Sequence, residues 1–148
     1  MSTFYFILLQ AHSGWRYVVL LLVILTTAKV VVGWLGNQAW TKLDSRLMSY
    51  TNIAIGIQFL LGLFLYTLFI VNGGMGRSIG GFTGGHVVPA ILAVAAAGFG
   101  FARSRRVEGD RRKFMFAAIG MLLAIFLVYG ALATVGGVFA SSSFTDPN

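Results

Sequence analysis

The sequence contains no cysteine. Disulfide bonds, thiolate metal sites, iron–sulfur clusters and covalently attached c-type haem all need at least one thiol, so each of these is excluded. A metal ion would have to be held by histidine, carboxylate or methionine side chains, or by a cofactor. Two histidines alone would under-ligate a zinc or copper ion unless Met75 or another chain contributed a ligand.

Charged side chains are also scarce. They make up 10% of the chain, against roughly 25% in soluble proteins, whereas hydrophobic residues make up 57% and the mean hydropathy is +0.84. A composition this apolar predicts a protein embedded in a lipid bilayer. The formal net charge of +7 is better explained by basic residues that hold a membrane topology than by nucleic acid, which we do not expect as a partner.

Long uncharged runs separate these few charges and predict the fold class. We interpret the chain as an all-α integral membrane protein, a single domain over residues 1–148 with four transmembrane helices in an up-down-up-down bundle. The helices are predicted at about 14–35, 47–71, 86–102 and 114–135.

The first apolar run, Phe4 to Gly36, is too long for one span, because its 33 residues would form a helix of about 50 Å and the hydrocarbon core is about 30 Å thick. Residues 4–11 are therefore predicted as an interfacial segment, with Ser13 as the N-cap of the first spanning helix. No cleaved signal peptide is expected, because a basic N-terminal segment is lacking. The glycine-rich stretch 73–85 is predicted as a flexible loop.

Lysine and arginine are distributed unevenly between the two predicted sides. Arg16 and Arg77 fall on one side, and eight basic residues fall on the other: Lys42, Arg46, Arg103, Arg105, Arg106, Arg111, Arg112 and Lys113. Because cytoplasmic loops carry the excess of positive charge, we expect a multi-pass protein of the bacterial plasma membrane with cytoplasmic basic loops and both termini outside. Lys29, in helix one, is expected either to snorkel to the cytoplasmic face or to pair with Gln58.

Acidic residues number only four, and all are predicted in loops or in the tail: Asp44, Glu108, Asp110 and Asp146. Without a carboxylate inside a span, the sequence lacks the paired acids of hydrolases and the intramembrane acid of most proton-coupled transporters. No Ser-His-Asp grouping can be assembled either. We therefore expect no independent catalytic activity, apart from electron transfer if a redox cofactor is bound.

The chain has two histidines, His12 and His86, which open helices one and three and so lie on the same side of the membrane. Two inward-facing histidines of a helical bundle are a common pair of axial ligands for the iron of b-type haem. Arg16 follows His12 by one turn and is placed to pair with a haem propionate. The alternative is that these are rim residues. A tilt of helix one or a break at Gly14 would bring the histidines to one depth.

Three further features have two interpretations each. The small residues Ala90, Ala93, Ala97 and Gly100 share a face with His86 and either leave space for a macrocycle or let another helix approach closely. Gln58, near the middle of helix two, is expected to form an interhelical hydrogen bond rather than to serve a quinone or a proton path. Tyr129 either forms a hydrogen bond near the histidines or packs within the bundle.

Short motifs run through most of the chain: His12-Ser13-Gly14-Trp15-Arg16, Lys29 with Gly33-Trp34, the stretch Gln58 to Tyr66, and His86 followed by a basic loop. In these the sequence resembles a set of small, poorly characterised four-helix bacterial membrane proteins that are cytochrome b-like. The resemblance implies a compact four-span protein with both histidines at motif positions, as haem ligands would be. The sequence departs from that pattern at Gly85, where an acid is common, and at Val87-Val88, because proline often follows the histidine directly.

Two hypotheses of function follow. The first is a membrane-embedded, b-type cytochrome-like electron-transfer protein, or a subunit of a respiratory or photosynthetic complex, with haem b between His12 and His86 and other membrane subunits as partners. The second is a non-catalytic accessory subunit without its own haem, in which His12 and Arg16 contact lipid, pigment or another subunit. A small transporter or channel is disfavoured by the lack of intramembrane acids.

Overall fold

The computed structural model describes residues 3–74 and 76–137. These residues form five α-helices and one π-helical turn: α1 (Thr3–Leu35), α2 (Lys42–Val71), α3 (Ile79–Phe82), the π turn (Thr83–Val87), α4 (Val88–Arg106) and α5 (Asp110–Ala133). No strand occurs in the described residues, so the predicted all-α fold class is confirmed. Met75 and Asp146 lie outside the described residues.

Four helical spans are long and apolar enough to cross a membrane: Thr3–Leu35, Lys42–Val71, Ile79–Arg106 and Asp110–Ala133. The third span combines α3, the π turn and α4. Large apolar side chains such as Leu21, Ile53, Leu60 and Phe126 are more than half exposed. Lipid tails are as apolar as these side chains, so the fold is compatible with a multi-pass membrane protein in a bilayer.

The first helix is longer than predicted. It runs without interruption through His12, Ser13 and Gly14, so the prediction that Ser13 caps a helix after a separate segment 4–11 is wrong. One glycine costs a helix only about 1 kcal/mol relative to alanine, which is too little to end a helix that is stabilised on both sides. The Nε1–H of Trp15 donates a hydrogen bond to the carbonyl of Ala54 at 2.9 Å and ties this part of α1 to α2.

The second helix begins earlier than predicted, at Lys42, because Thr41 and Asp44 form a capping box. The backbone N–H of Thr41 donates to the Asp44 carboxylate at 2.8 Å, and the backbone N–H of Asp44 donates to the Thr41 hydroxyl at 3.4 Å. Asp44 is thus a buried helical residue, and its predicted place in a loop is wrong. Asp110 is likewise the first residue of α5 rather than a loop residue.

The glycine-rich stretch 73–85, predicted as a loop, is helical from Ile79 onward. Ser78 starts this helix, because its hydroxyl accepts a hydrogen bond from the backbone N–H of Gly81 at 3.2 Å. Gly73 and Gly76 have positive φ values of 66° and 80°, and they form the turn that precedes it. The loop prediction therefore holds only for the first half of the stretch.

The spans pack as a ring in which α1 contacts α2 and α5, and α4 contacts α5 and α2. The helices α1 and α2 run antiparallel. Thr26 of α1 pairs with Thr51 of α2 through their hydroxyls at 2.6 Å, whereas His12, earlier in α1, meets Gln58, later in α2. The ring encloses one shared interior.

One end of this interior is filled by Phe114, a fully buried residue of the first turns of α5. Its ring occupies the space beside Gly33, where a Cβ would collide with it, and tilts against Trp40 with centroids 4.7 Å apart. The Lys29 ammonium lies 5.6 Å from the Phe114 centroid and forms an ion pair with Asp44 at 3.2 Å. We call this region, defined by these five residues, the closed end.

The backbones of α4 and α5 approach each other closely at Gly100 and Gly120. A Cβ on Gly120 would lie 2.7 Å from Gly100 Cα, and one on Gly100 would lie 2.9 Å from Gly120 Cα. Small residues permit this approach. On the same face of α4, Ala97 also packs against α5, whereas Ala90 and Ala93 line a cavity described below. The second half of the small-residue face of α4 therefore packs against α5.

Replacing Gly100 by Ala is expected to lower the free energy of unfolding by roughly 1–3 kcal/mol, because the added methyl group would overlap backbone atoms of α5. Gly98→Ala, on the same helix, is the matched control, since a Cβ there meets nothing within 4 Å. It should be neutral or slightly stabilising. Thermal unfolding in detergent measures both variants, and equal midpoints would contradict the close contact.

Candidate functional site

The end of the bundle opposite the closed end contains a cavity of about 800 Å³, lined by residues of all four spans. Its wall is mainly aliphatic and aromatic, and its polar members include His12, Arg16, Gln58, Arg77 and His86. Ligand-binding pockets typically measure about 300–1,000 Å³ and combine an apolar wall with a few polar groups. The cavity therefore has the size and the lining of a small-molecule site.

The structure brings the three predicted site residues, His12, His86 and Arg16, to this one cavity. It does so with an unbroken α1, so no break at Gly14 is needed. Tyr129 also lines the cavity, but it is 70% exposed. The roles of the histidines as axial ligands and of Arg16 as a propionate partner stay predictions.

His86 lies in the π turn Thr83–Val87, just before Pro89. Proline lacks an N–H donor, and in a regular α-helix its ring clashes with the carbonyl four residues earlier. The wider π turn accommodates both effects. Gly85 of this turn packs against Thr134 after α5, where a Cβ would lie 2.9 Å from Thr134 Cγ2. A larger residue before His86 would displace the turn, which accounts for the glycine at this position.

The imidazole of His86 is held from two directions. Its Nδ1 lies 2.9 Å from the carbonyl oxygen of Ala131 on α5, and Phe82 stacks on the ring with centroids 5.1 Å apart. A carbonyl can only accept, so Nδ1 carries the proton and Nε2 carries the lone pair. Metal-ligating histidines usually have this arrangement, in which the other ring N–H is donated to a carbonyl or carboxylate.

The other histidine, His12, faces α2. The Nε2 of Gln58 donates a hydrogen bond to the backbone carbonyl of His12 at 3.1 Å and lies 3.3 Å from each ring nitrogen. Gly62, one turn later, leaves room for the ring, since a Cβ there would lie 3.0 Å from His12 Cε1. The predicted interhelical hydrogen bond of Gln58 is confirmed, and the alternative pairing of Gln58 with Lys29 is wrong, because Lys29 binds Asp44 at the closed end.

Two arginines supply the charge of the cavity wall. Arg16 is half-buried one turn after His12, and its guanidinium donates a hydrogen bond to the Tyr17 hydroxyl at 3.2 Å. Arg77 reaches the cavity from the turn before α3. Over the part of the chain that the structure describes, no aspartate or glutamate lines the cavity. The charge of its wall therefore favours an anionic group.

Three contributions to the cavity were not predicted from the sequence: the contact of Gln58 with His12, the Ala131 carbonyl as the partner of His86, and Arg77. The first two join residues 46 and 45 positions apart, and no local pattern contains such a pair. The sequence does contain a signal for Arg77, because the distribution of charge places it on the same side of the membrane as the histidines.

The fold and the cavity together define a class of protein: a bundle of four membrane-length helices with a ligand-sized cavity that contains two histidines and two arginines. No protein-family model matches the chain, and no curated protein and no solved structure matches it either. Within residues 3–74 and 76–137, no group of three or more His, Cys, Asp or Glu side chains is placed to hold a metal ion.

Replacing Gly62 by Ala is expected to move the His12 imidazole away from α2, because the new Cβ would lie 3.0 Å from its Cε1. Gly56→Ala is the matched control on the same helix, since a Cβ there has no neighbour within 4 Å. In NMR spectra of the protein in detergent, the ring resonances of His12 should shift in the first variant only, and those of His86 in neither. A His12 ring that responds alike to both changes would refute the contact.

Proposed function

We propose that the cavity binds one b-type haem, with His12 and His86 as axial ligands of the iron, and that the protein transfers electrons in a respiratory or photosynthetic membrane. It acts as a small membrane cytochrome or as a subunit of a larger complex. One observation carries the proposal: the two histidines of the chain, on different helices, line the same apolar cavity.

The surroundings of His86 support a ligand role. Its Nδ1–H is bound to the Ala131 carbonyl, which leaves Nε2 for the iron and fixes the rotation of the ring. The histidine also sits in a π turn, and such turns occur frequently at functional sites because they displace a side chain from its regular helical position.

The number of histidines also favours haem over a bare metal ion. A zinc site needs three or four protein ligands, which two histidines cannot supply. A porphyrin fills the equatorial positions of its iron, so two imidazoles from different helices complete the coordination. Haem is an elongated apolar ring system, and the volume of about 800 Å³ lies within the range of sites for large organic ligands.

The remaining wall suits the rest of the cofactor. Arg16 and Arg77 offer two guanidinium groups to the two propionates, and arginine binds carboxylates well because its donors match their geometry. Apolar residues such as Val19, Val23 and Phe69 would contact the macrocycle. These contacts would exclude water from the iron.

Bound haem supplies a one-electron couple between ferric and ferrous iron. His12 and His86 would hold the iron, the aliphatic and aromatic wall would keep its surroundings apolar, and Arg16 and Arg77 would balance the negative charge of the cofactor. Each of these tunes the reduction potential.

We also infer the orientation from the basic loops. The last turn of α4, the first turn of α5 and the start of α2 lie at the closed end, and they carry eight of the eleven lysine and arginine residues of the chain. Positive loops remain in the cytoplasm, so the cavity lies towards the outer side of a bacterial plasma membrane.

The full-length protein, expressed with ample haem and purified in detergent, is expected to show a b-type band in its reduced-minus-oxidised spectrum and about one haem per chain in a pyridine haemochrome assay. His12→Ala and His86→Ala should each lose most of the haem, because each removes an axial ligand, and the double variant should bind none. Gln38→Ala, beside Lys29 and away from the cavity, is the control and should keep its haem.

A wild-type sample without a b-type band would disprove the haem proposal, and so would haem that survives both histidine substitutions. If a haem-free protein co-purifies with larger membrane subunits, the accessory-subunit hypothesis applies instead. A haem-free monomer that moves a solute into liposomes would point to transport.

Single cysteines can report the orientation, because the chain has none of its own. Asn72→Cys, after α2, is expected to react with a membrane-impermeant maleimide in intact cells. Glu108→Cys, between α4 and α5, should react only after lysis, because positive loops stay in the cytoplasm. Both positions are exposed. The opposite labelling pattern would reverse the orientation.

A further inference from the structure

The two histidines of the cavity differ in how their rings are held. The His86 ring donates its Nδ1–H to the Ala131 carbonyl at 2.9 Å. For His12, the carboxamide of Gln58 is the one group within hydrogen-bonding distance of the ring nitrogens among the described residues. The orientation of the His12 ring therefore depends on Gln58.

The carboxamide of Gln58 can form more hydrogen bonds than it makes within the described residues. Its Nε2 is 3.3 Å from both ring nitrogens of His12, whose lone pairs and N–H groups point in different directions within the ring plane, so Nε2 cannot be aligned with both. Its better acceptor is the backbone carbonyl of His12 at 3.1 Å. This bond holds the carboxamide beside the imidazole.

The carboxamide oxygen of Gln58 is buried and has no hydrogen-bond partner in the described part of the chain. A buried acceptor without a donor is costly. A neutral imidazole that directs one nitrogen into the cavity carries its proton on the other nitrogen, and this N–H needs an acceptor. The last torsion of a glutamine side chain is soft, so the carboxamide can rotate to present its oxygen to this N–H.

We propose that Gln58 is the positioning residue of His12: its carboxamide oxygen accepts the ring N–H of His12 and thereby directs the other ring nitrogen into the cavity. This inference rests on the proposed function, since the directed nitrogen is the one that binds the haem iron. Gln58 then acts on His12 as the Ala131 carbonyl acts on His86. Gly62 contributes the space in which the ring lies against α2.

The first experiment uses the haem-free, full-length protein in detergent with 15N-labelled histidine, at a pH where the rings are neutral. The ring nitrogen shifts distinguish the two tautomers. Wild-type His12 is expected as a single tautomer. Gln58→Leu removes the acceptor and should give a mixture of tautomers, whereas Gln58→Glu keeps an acceptor oxygen and should restore a single one.

The second experiment measures the midpoint potential of the haem-loaded protein. An acceptor on the distal N–H makes an imidazole a stronger electron donor and favours ferric iron. Gln58→Leu is therefore expected to raise the midpoint potential and Gln58→Glu to lower it. Both should keep haem, because both keep the two histidines.

The control for both experiments is Asn52→Leu. Asn52 is a half-buried amide of the same helix, but it bonds to the Met48 carbonyl within α2 at 2.9 Å and does not line the cavity. It should leave the tautomer and the potential unchanged.

If Gln58→Leu matches Asn52→Leu in the His12 tautomer, the proposal is overturned and Gln58 is an interhelical contact only. An unchanged midpoint potential in haem-loaded Gln58→Leu would overturn it as well. A wild-type protein that binds no haem would instead disprove the proposed function. The tautomer comparison would still decide, in that case, whether Gln58 orients His12.

Discussion

The packing of Phe114 beside Gly33 is the contact on which the rest of the bundle depends. It sets the distance between α1 and α5, because any side chain at position 33 would collide with the Phe114 ring. Lys29 lies over the same ring and pairs with Asp44 in the first turn of α2, while Trp40 packs at its edge. One aromatic side chain and one ion pair therefore hold three helices together at the closed end.

The cavity is the counterpart of this closed end. The α4–α5 contact at Gly100 and Gly120 keeps these two helices close, while towards the other end Ala90 and Ala93 are too small to fill the interior. The cavity of about 800 Å³ has a mainly apolar wall that offers many dispersion contacts to a ligand. A ligand that filled it would stabilise the fold as well as occupy the site. The same packing thus accounts for the stability of one end and the binding capacity of the other.

Sequence patterns predicted the four spans well, because burial in lipid demands long apolar runs whatever the tertiary contacts. The sequence patterns gave wrong predictions at residues that are common both in loops or caps and inside helices. Ser13 is a good N-cap residue, yet it lies inside α1, since the helix continues in both directions and needs no cap there. Asp44 looked like a loop acid because it neighbours Lys42 and Arg46, but Thr41 makes it part of a capping box.

The sequence by itself determined the all-α class, the exclusion of thiol chemistry and the small set of residues from which a site could be built. Only the tertiary structure decided how that set is arranged. It joined His12 to Gln58 and His86 to Ala131, pairs 46 and 45 positions apart, and it turned Lys29 towards Asp44 instead of Gln58. The physical reason is that hydropathy depends on one residue at a time, whereas a hydrogen bond depends on the relative position of two helices.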